Sequence, residues 1–172
     1  SWNAVTWSYI RNTGGHAAYL TFGSKNNTIS QSTVASAGVN YRALYLSGSS
    51  SNTVTQSYLA HASSGDAVYI ADGSHYNSIV QSTIAVDYNA GYGYFVGASS
   101  GNSLIQSWVS NPAGYAAFLA ASAGHVATHS VCAIDADGVA GYSAGDPVYL
   151  IRGVAGACAA AQTIPVGAVR LN

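Results

Sequence analysis

The sequence predicts an all-β chain wound as a single-stranded parallel β-helix of about seven rungs, each about 25 residues long. Three observations carry this reading. The dipeptide Gln-Ser returns at Gln31-Ser32, Gln56-Ser57, Gln81-Ser82 and Gln106-Ser107, a fixed step of 25 residues. Self-similarity at periods of roughly 20–50 residues marks stacked-repeat architectures. The dipeptide also carries its surroundings with it. Asn27, Asn52, Asn77 and Asn102 precede it; Ile29, Val54, Ile79 and Leu104 follow those asparagines by two; Val34, Leu59, Ile84 and Val109 follow the serines by two. Finally, the repeat alternates with period two and is dense in β-branched residues, Ser and Gly, with no helical period of 3.6.

One repeat justifies its elements in order. Thr28-Ile29-Ser30 reads as a short strand with Ile29 inward. Ser32-Thr33-Val34 reads as a second, with Ser32 and Val34 inward and Thr33 outward, and the small, Gly-containing run from Ala35 to Arg42 as a loop. Ala43-Leu44-Tyr45-Leu46 reads as a third strand with Leu44 and Leu46 inward and Tyr45 outward, before Ser47 to Ser51 turns the chain to the next asparagine. Weaker copies flank the core repeats: Asn3, Val5, Trp7-Ser8 and Ile10 before, and His125, Ala127, His129-Ser130 and Cys132 after. Pro147-Val148-Tyr149-Leu150 reads as a returning third strand. The expected division is a β-helix over 1–151 and a cap or final partial rung over 152–172, which covers the open edge every solenoid must protect.

Stacking places matching residues about 4.8 Å apart. The asparagines then form an amide ladder, and Gln31, Gln56, Gln81, Gln106 and Ser32, Ser57, Ser82, Ser107 form parallel columns, the serines bonding through their hydroxyls. A leucine-rich repeat has a similar period and its own asparagine ladder, but leucine is scarce here and Asn52 follows Leu46 by six residues.

The pattern GSSSNTVTQS…AVYIADGSHYNSIVQS resembles the right-handed parallel β-helix repeats of the pectate-lyase-like superfamily over about residues 1–151. Right-handedness is an implication of that resemblance. The superfamily includes polysaccharide lyases, hydrolases, epimerases, phage tail spikes and surface proteins, so the resemblance implies a fold rather than one activity. In this chain Gln stands where one bend often has Asn, which alters the ladder chemistry and not the coil.

Composition narrows the function. Only 6% of the 172 residues are charged, against about 25% in ordinary chains, and net charge is −1. Nothing draws the chain to nucleic acid, and no apolar run spans a bilayer. The absence of an initiator methionine reads as a mature or excised piece of a longer precursor. Low charge with abundant Ser, Gly, Ala, Asn and Tyr suits an extracellular or cell-surface β protein that associates with itself. Cys132 and Cys158 are compatible with one disulfide and equally with two buried thiols.

Candidate contact residues form columns. Tyr19, Tyr45, Tyr69, Phe95, Phe118 and Tyr149 take the outward position of the third strand, an aromatic stripe suited to sugar rings, to another protein or to its own stacking. Beside it run His16, Arg42, Asp66, Tyr92 and Tyr115, with Arg42 and Asp66 expected to meet as an exposed pair worth little. Tyr9, Thr33, Tyr58, Thr83 and Trp108 form a second outward column that reads as an ordinary β face.

Catalytic machinery is thin. A glycosidase needs two converging carboxylates, and Asp66, Asp72, Asp87, Asp135, Asp137 and Asp146 offer no such pair; no catalytic residue is assigned. Arg42 with His16 is the only start on uronate chemistry, without the acidic cluster that holds calcium. Asp135-Ala136-Asp137-Gly138 is half a calcium loop and reads as a solvated turn, while His125, His129 and Cys132 have only a weak zinc-like spacing; no cofactor or metal is expected. Asn26-Asn27-Thr28 is a glycosylation sequon. The expectation is therefore a non-enzymatic extracellular structural or adhesive module assembling into a fibre or surface layer. The alternative is a carbohydrate-active or carbohydrate-binding β-helix, and a third reading is a passive spacer.

Overall fold

The computed structural model describes residues 2–87, 91–111, 115–120, 126–128, 133–134, 139–140, 149–151 and 169–171. The first coil is β1 (Ala4–Thr6), β2 (Tyr9–Asn12) and β3 (Ala18–Thr21); the second is β4 (Thr28–Ser30), β5 (Thr33–Ser36) and β6 (Arg42–Ser47). The third is β7 (Thr53–Thr55), β8 (Tyr58–His61) and β9 (Asp66–Ala71); the fourth is β10 (Ser78–Val80), β11 (Thr83–Val86) and β12 (Tyr92–Gly97). β13 (Ser103–Ile105), β14 (Trp108–Ser110) and β15 (Tyr115–Ala120) follow, then β16 (Val126–Thr128), β17 (Ala133–Ile134), β18 (Val139–Ala140), β19 (Tyr149–Ile151) and β20 (Val169–Leu171).

Each strand pairs in parallel with its counterpart one coil away, which builds three sheets. Sheet A runs β1-β4-β7-β10-β13-β16-β19-β20, sheet B β2-β5-β8-β11-β14-β17, and sheet C β3-β6-β9-β12-β15-β18. About four turns, β1 to β12, are described nearly throughout, fewer than the seven or so read from the repeat, and the later strands continue the columns.

Alternation places the branched residues inside. Ile29, Val54, Ile79 and Leu104 from sheet A meet Val34, Leu59, Ile84 and Val109 from sheet B and Leu46, Ile70 and Val96 from sheet C. Burying each such side chain contributes about 1.5–3 kcal/mol. The third strand departs from strict alternation, since Ala43 is buried beside Leu44. Ala43, Ala67, Gly93 and Ala116 share that position, and a Cβ on Gly93 would lie 2.6 Å from the Ala116 carbonyl oxygen and from Val109 Cγ1. The column is small because backbone passes directly behind it.

The asparagine ladder forms and begins one coil earlier than its strongest repeats. Nδ2 of Asn3, Asn27, Asn52 and Asn77 donates to Oδ1 of the next asparagine at 2.9–3.0 Å, and each backbone N–H donates to the same oxygen. Asn52, Asn77 and Asn102 also donate to the carbonyls of Ser24, Ser49 and Ser74. These amides are buried, so each bond also spares a desolvation penalty.

The serine column works differently from the hydroxyl chain expected. The backbone N–H of Ser32, Ser57 and Ser82 donates to the Oγ of the following serine at 3.1–3.2 Å, while Oγ of Ser32, Ser57, Ser82 and Ser107 donates to a carbonyl two residues back. A hydroxyl has one proton, and here each one goes to that carbonyl. Gln31, Gln56, Gln81 and Gln106 turn this corner in the left-handed region, φ 47–49°, as Trp7 does at 51°. The strained conformation aims each of the first three glutamine N–H groups at a carbonyl of the next coil.

Two expectations change. β5 reaches Ser36 and β6 begins at Arg42, so the loop is shorter, because Ser36 turns inward and donates to the Gly15 carbonyl at 2.8 Å. Tyr149 does not continue the third strand: β19 pairs with β16, Val126 opposite Tyr149, in sheet A. β18 occupies sheet C instead, with Ala140 opposite Phe118. Of the expected cap, Val169–Leu171 adds a final strand to sheet A and 152–168 lies outside the described residues.

Candidate functional site

The outward face of sheet C brings Tyr19, Tyr45, Tyr69, Phe95 and Phe118 into one column. It consists of two stacked blocks. Tyr19 and Tyr45 lie 4.8 Å apart at 10°; Tyr69 and Phe95 lie 4.2 Å apart at 9°, and Phe118 stacks at 5.7 Å and 5°. The blocks meet edge to face, Tyr45 against Tyr69 at 5.4 Å and 83°. Tyr45 is held there by its hydroxyl, which donates to Asp72 Oδ2 at 3.1 Å, an oxygen that also accepts from Ser47 Oγ at 2.8 Å. The Arg42 guanidinium lies over the junction, 4.4 Å from the Tyr69 ring centre and 5.6 Å from Tyr45.

His16, Arg42 and Asp66 also come together, as backbone fasteners. Arg42 Nε donates to Asp66 Oδ2 at 3.0 Å and Nη1 to the Asn40 carbonyl at 2.8 Å. Asp66 Oδ1 accepts from Tyr92 N–H at 2.9 Å, and His16 Nδ1 accepts from Arg42 N–H at 3.1 Å. The pair is not the exposed one expected: the Asp66 side chain is 8% exposed and that of Arg42 26%, because the aromatic column roofs them. Burial first, and then the Arg42 charge, hold His16 below its usual pKa. Burial raises the Tyr45 and Tyr69 hydroxyls, with Arg42 opposing it at Tyr69. The buried Tyr94 hydroxyl is pushed up by burial as well.

Sheet B presents the other outward column, Tyr9-Thr33-Tyr58-Thr83-Trp108, in register. Beside its first three coils the bend carries Trp7, Gln31 and Gln56. Between the two lies an open groove of about 400 Å³ lined by Trp7, Gln31, Ser32, Thr33, Gln56 and Tyr58. Of the glutamine ladder, the amide pair Gln81 Nε2 to Gln106 Oε1 forms at 3.2 Å.

Several polar residues with structural work escaped the sequence reading. Ser24, Ser49, Ser74 and Ser99 build a second serine staircase at the opposite corner, with N–H of Ser49 and Ser74 donating to the next Oγ at 3.1 Å. Their own spacing of 25 residues was the available signal. Asn12, Ser36, His61 and Asn111 sit at equivalent ends of the second strand and bind loop carbonyls, His61 Nε2 lying 3.2 Å from the Gly38 carbonyl oxygen and Asn111 Nδ2 donating to Gly91 at 2.6 Å. That column changes residue type at each coil, so no repeat betrays it. His75 Nδ1 lies 2.8 Å from Ser100 Oγ and accepts Ser100 N–H at 3.0 Å.

Among the described residues no three metal-ligating side chains converge. Cys132, Cys158, His125, His129, Asp135, Asp137 and Asp146 lie outside the described residues.

A family comparison agrees with this architecture. The right-handed β-helix region family matches residues 1–147, and the chain belongs to that family. The coil is therefore a right-handed parallel β-helix, in line with the resemblance to the pectate-lyase-like superfamily. No curated protein and no solved structure matches the chain.

Proposed function

We propose that this chain is a non-enzymatic structural and adhesive β-helix module, extracellular or surface-exposed, that associates with copies of itself through its apolar, low-charge outer faces. The observation carrying this reading is the apolar surface that the described coils expose in a chain with few charges. Tyr9, Tyr19, Phe22, Tyr58 and Tyr76 are 68%, 50%, 96%, 41% and 69% exposed. Exposed apolar surface marks contact surfaces in water, and the chain is only 6% charged, which favours association.

The ionisable groups support the same reading. Arg42, Asp66, Asp72, His61 and His75 each hold backbone or neighbouring side chains, which suits a scaffold better than a catalyst. Sedimentation velocity over a concentration series tests the proposal. Concentration-dependent association of the chain, abolished by Tyr19→Ser with Phe22→Ser while the β spectrum is kept, is the expected result. A monomer at every concentration overturns it.

A further inference from the structure

We infer that the outer face of sheet B docks a second copy of this chain with its coil order reversed, each aromatic ring seated against a threonine gap of the other copy. Resting on the self-association proposed above, where the surface around Tyr19 and Phe22 makes the first contact, this second contact lies on a different face and carries assembly further.

The face repeats every two coils. Tyr9, Tyr58 and Trp108 stand on alternate coils, with Thr33 and Thr83 between them. At about 4.8 Å per coil, neighbouring rings are roughly 9.6 Å apart. One more ring, about 3.5–4 Å thick at van der Waals contact, fits that gap. The next outward column is Ala35, Ala60 and Ala85, which stands low and leaves the approach to the rings clear. Ring and gap occur equally often, so the face complements a reversed copy of itself. Sheet C has no such gaps, because its rings stack at every coil.

Symmetry and charge choose the arrangement. A twofold axis along the strands reverses the coil order and sets each column against itself. In one register the second coil faces the fifth and the third faces the fourth. Trp108 then lies opposite Thr33 of the partner subunit, and Tyr58 opposite Thr83 of the partner subunit, each contact occurring twice. Among the described residues of this face Arg11 carries the only charge, and in this register it lies outside the four facing coils. Sliding by one ring period brings Arg11 over Ala85 of the partner subunit and covers an unpaired charge, which is costly. An axis along the coil instead sets rings over alanines and leaves the threonine gaps as voids, which forfeits contacts.

Size sets the order of events. Four coils by one four-residue strand is about 19 by 13 Å, a footprint of roughly 250 Å² on each copy. A standard interface buries about 800 Å² per partner. This contact is therefore too small to hold two free chains. Two chains joined by the first contact carry two such faces, and a second joined pair engages both at high effective concentration.

Sedimentation velocity, at concentrations where the parent chain associates, tests the contact. Thr33→Tyr fills a gap and Tyr58→Thr removes a ring; each is expected to lose the largest species and stop at a smaller one, with its melting temperature within a few degrees of the parent or higher. Ala60→Lys and Ala85→Asp test the register, because Ala60 faces Ala85 of the partner subunit in it. Each alone loses the largest species, and mixing the two restores it. If Thr33→Tyr and Tyr58→Thr assemble as far as an associating parent, this contact is overturned and the first one stands. A mixture that restores nothing overturns the arrangement, and a parent chain monomeric throughout overturns both contacts.

Discussion

Sheets B and C are built from the same repeat, yet their outer columns solve different problems. On sheet C an aromatic ring occupies the outward position in all five coils from Tyr19 to Phe118, and the rings satisfy one another by stacking. On sheet B rings alternate with threonine, and Tyr9 and Tyr58 keep their faces free of described rings. A full column protects the sheet beneath it; a gapped column leaves its faces for something else. Aromatic content alone therefore identifies neither a binding surface nor a structural one, and the occupancy of the intervening coils decides.

Breaking the sheet C roof has the largest expected effect. Arg42→Ala removes the partner of the buried Asp66 carboxylate and the cation over Tyr69. Loss of a fully buried partner costs about 3–5 kcal/mol, and partial exposure of Arg42 reduces this to about 2–3 kcal/mol. Urea denaturation measures it. Phe95→Thr converts sheet C locally to the sheet B pattern, removing stacks on Tyr69 and Phe118, and should cost about 1–2 kcal/mol by the same measurement. The reverse conversion, Thr33→Tyr, places a ring between Tyr9 and Tyr58 and should stabilise by about 0.5–1 kcal/mol. Tyr58→Thr, where no ring contact is lost among the described residues, should stay within about 0.5 kcal/mol of the parent. If Phe95→Thr and Tyr58→Thr cost the same, the two columns are not different in kind.

The smallest effect is a pH slope. His16 lies against Tyr19, Tyr41 and Tyr45, and burial first, then the Arg42 charge, keep its pKa below the ordinary 6.5. The unfolded chain therefore binds more protons as pH falls through 6.5, so this contribution is intact above that value and is lost progressively below it. The melting temperature should fall slightly from pH 7 to pH 5, and His16→Ala should flatten that part of the decline.

Much of the coil was legible because a parallel stack repeats residue type wherever it repeats function. Asn52 and Asn77 declare their ladder, and Ile29, Val54 and Ile79 declare the core, since each faces the same environment. Legibility failed where environment and identity separate. His61 does for its loop what Ser36 does one coil earlier, with different chemistry, so nothing repeats. Tyr149 shows the converse: its alternation matches a third strand, but alternation does not say which sheet a strand joins once the preceding segment departs from the period. The groove on sheet B was missed for a related reason. Tyr9, Thr33 and Tyr58 were legible as a column, whereas the free faces and the adjoining glutamine bend become visible only in three dimensions.

The asparagine ladder has a direction, every amide handing its protons from Asn3 toward Asn102. Each asparagine meets its successor in the same way, so the interior does not register how many successors there are. Excising Asn52 to Tyr76 would present Asn77 to Asn27 as the next link. Whole units can thus be gained or lost while a fraction of a unit breaks every column at once, and the module behaves as a ruler graduated in single coils.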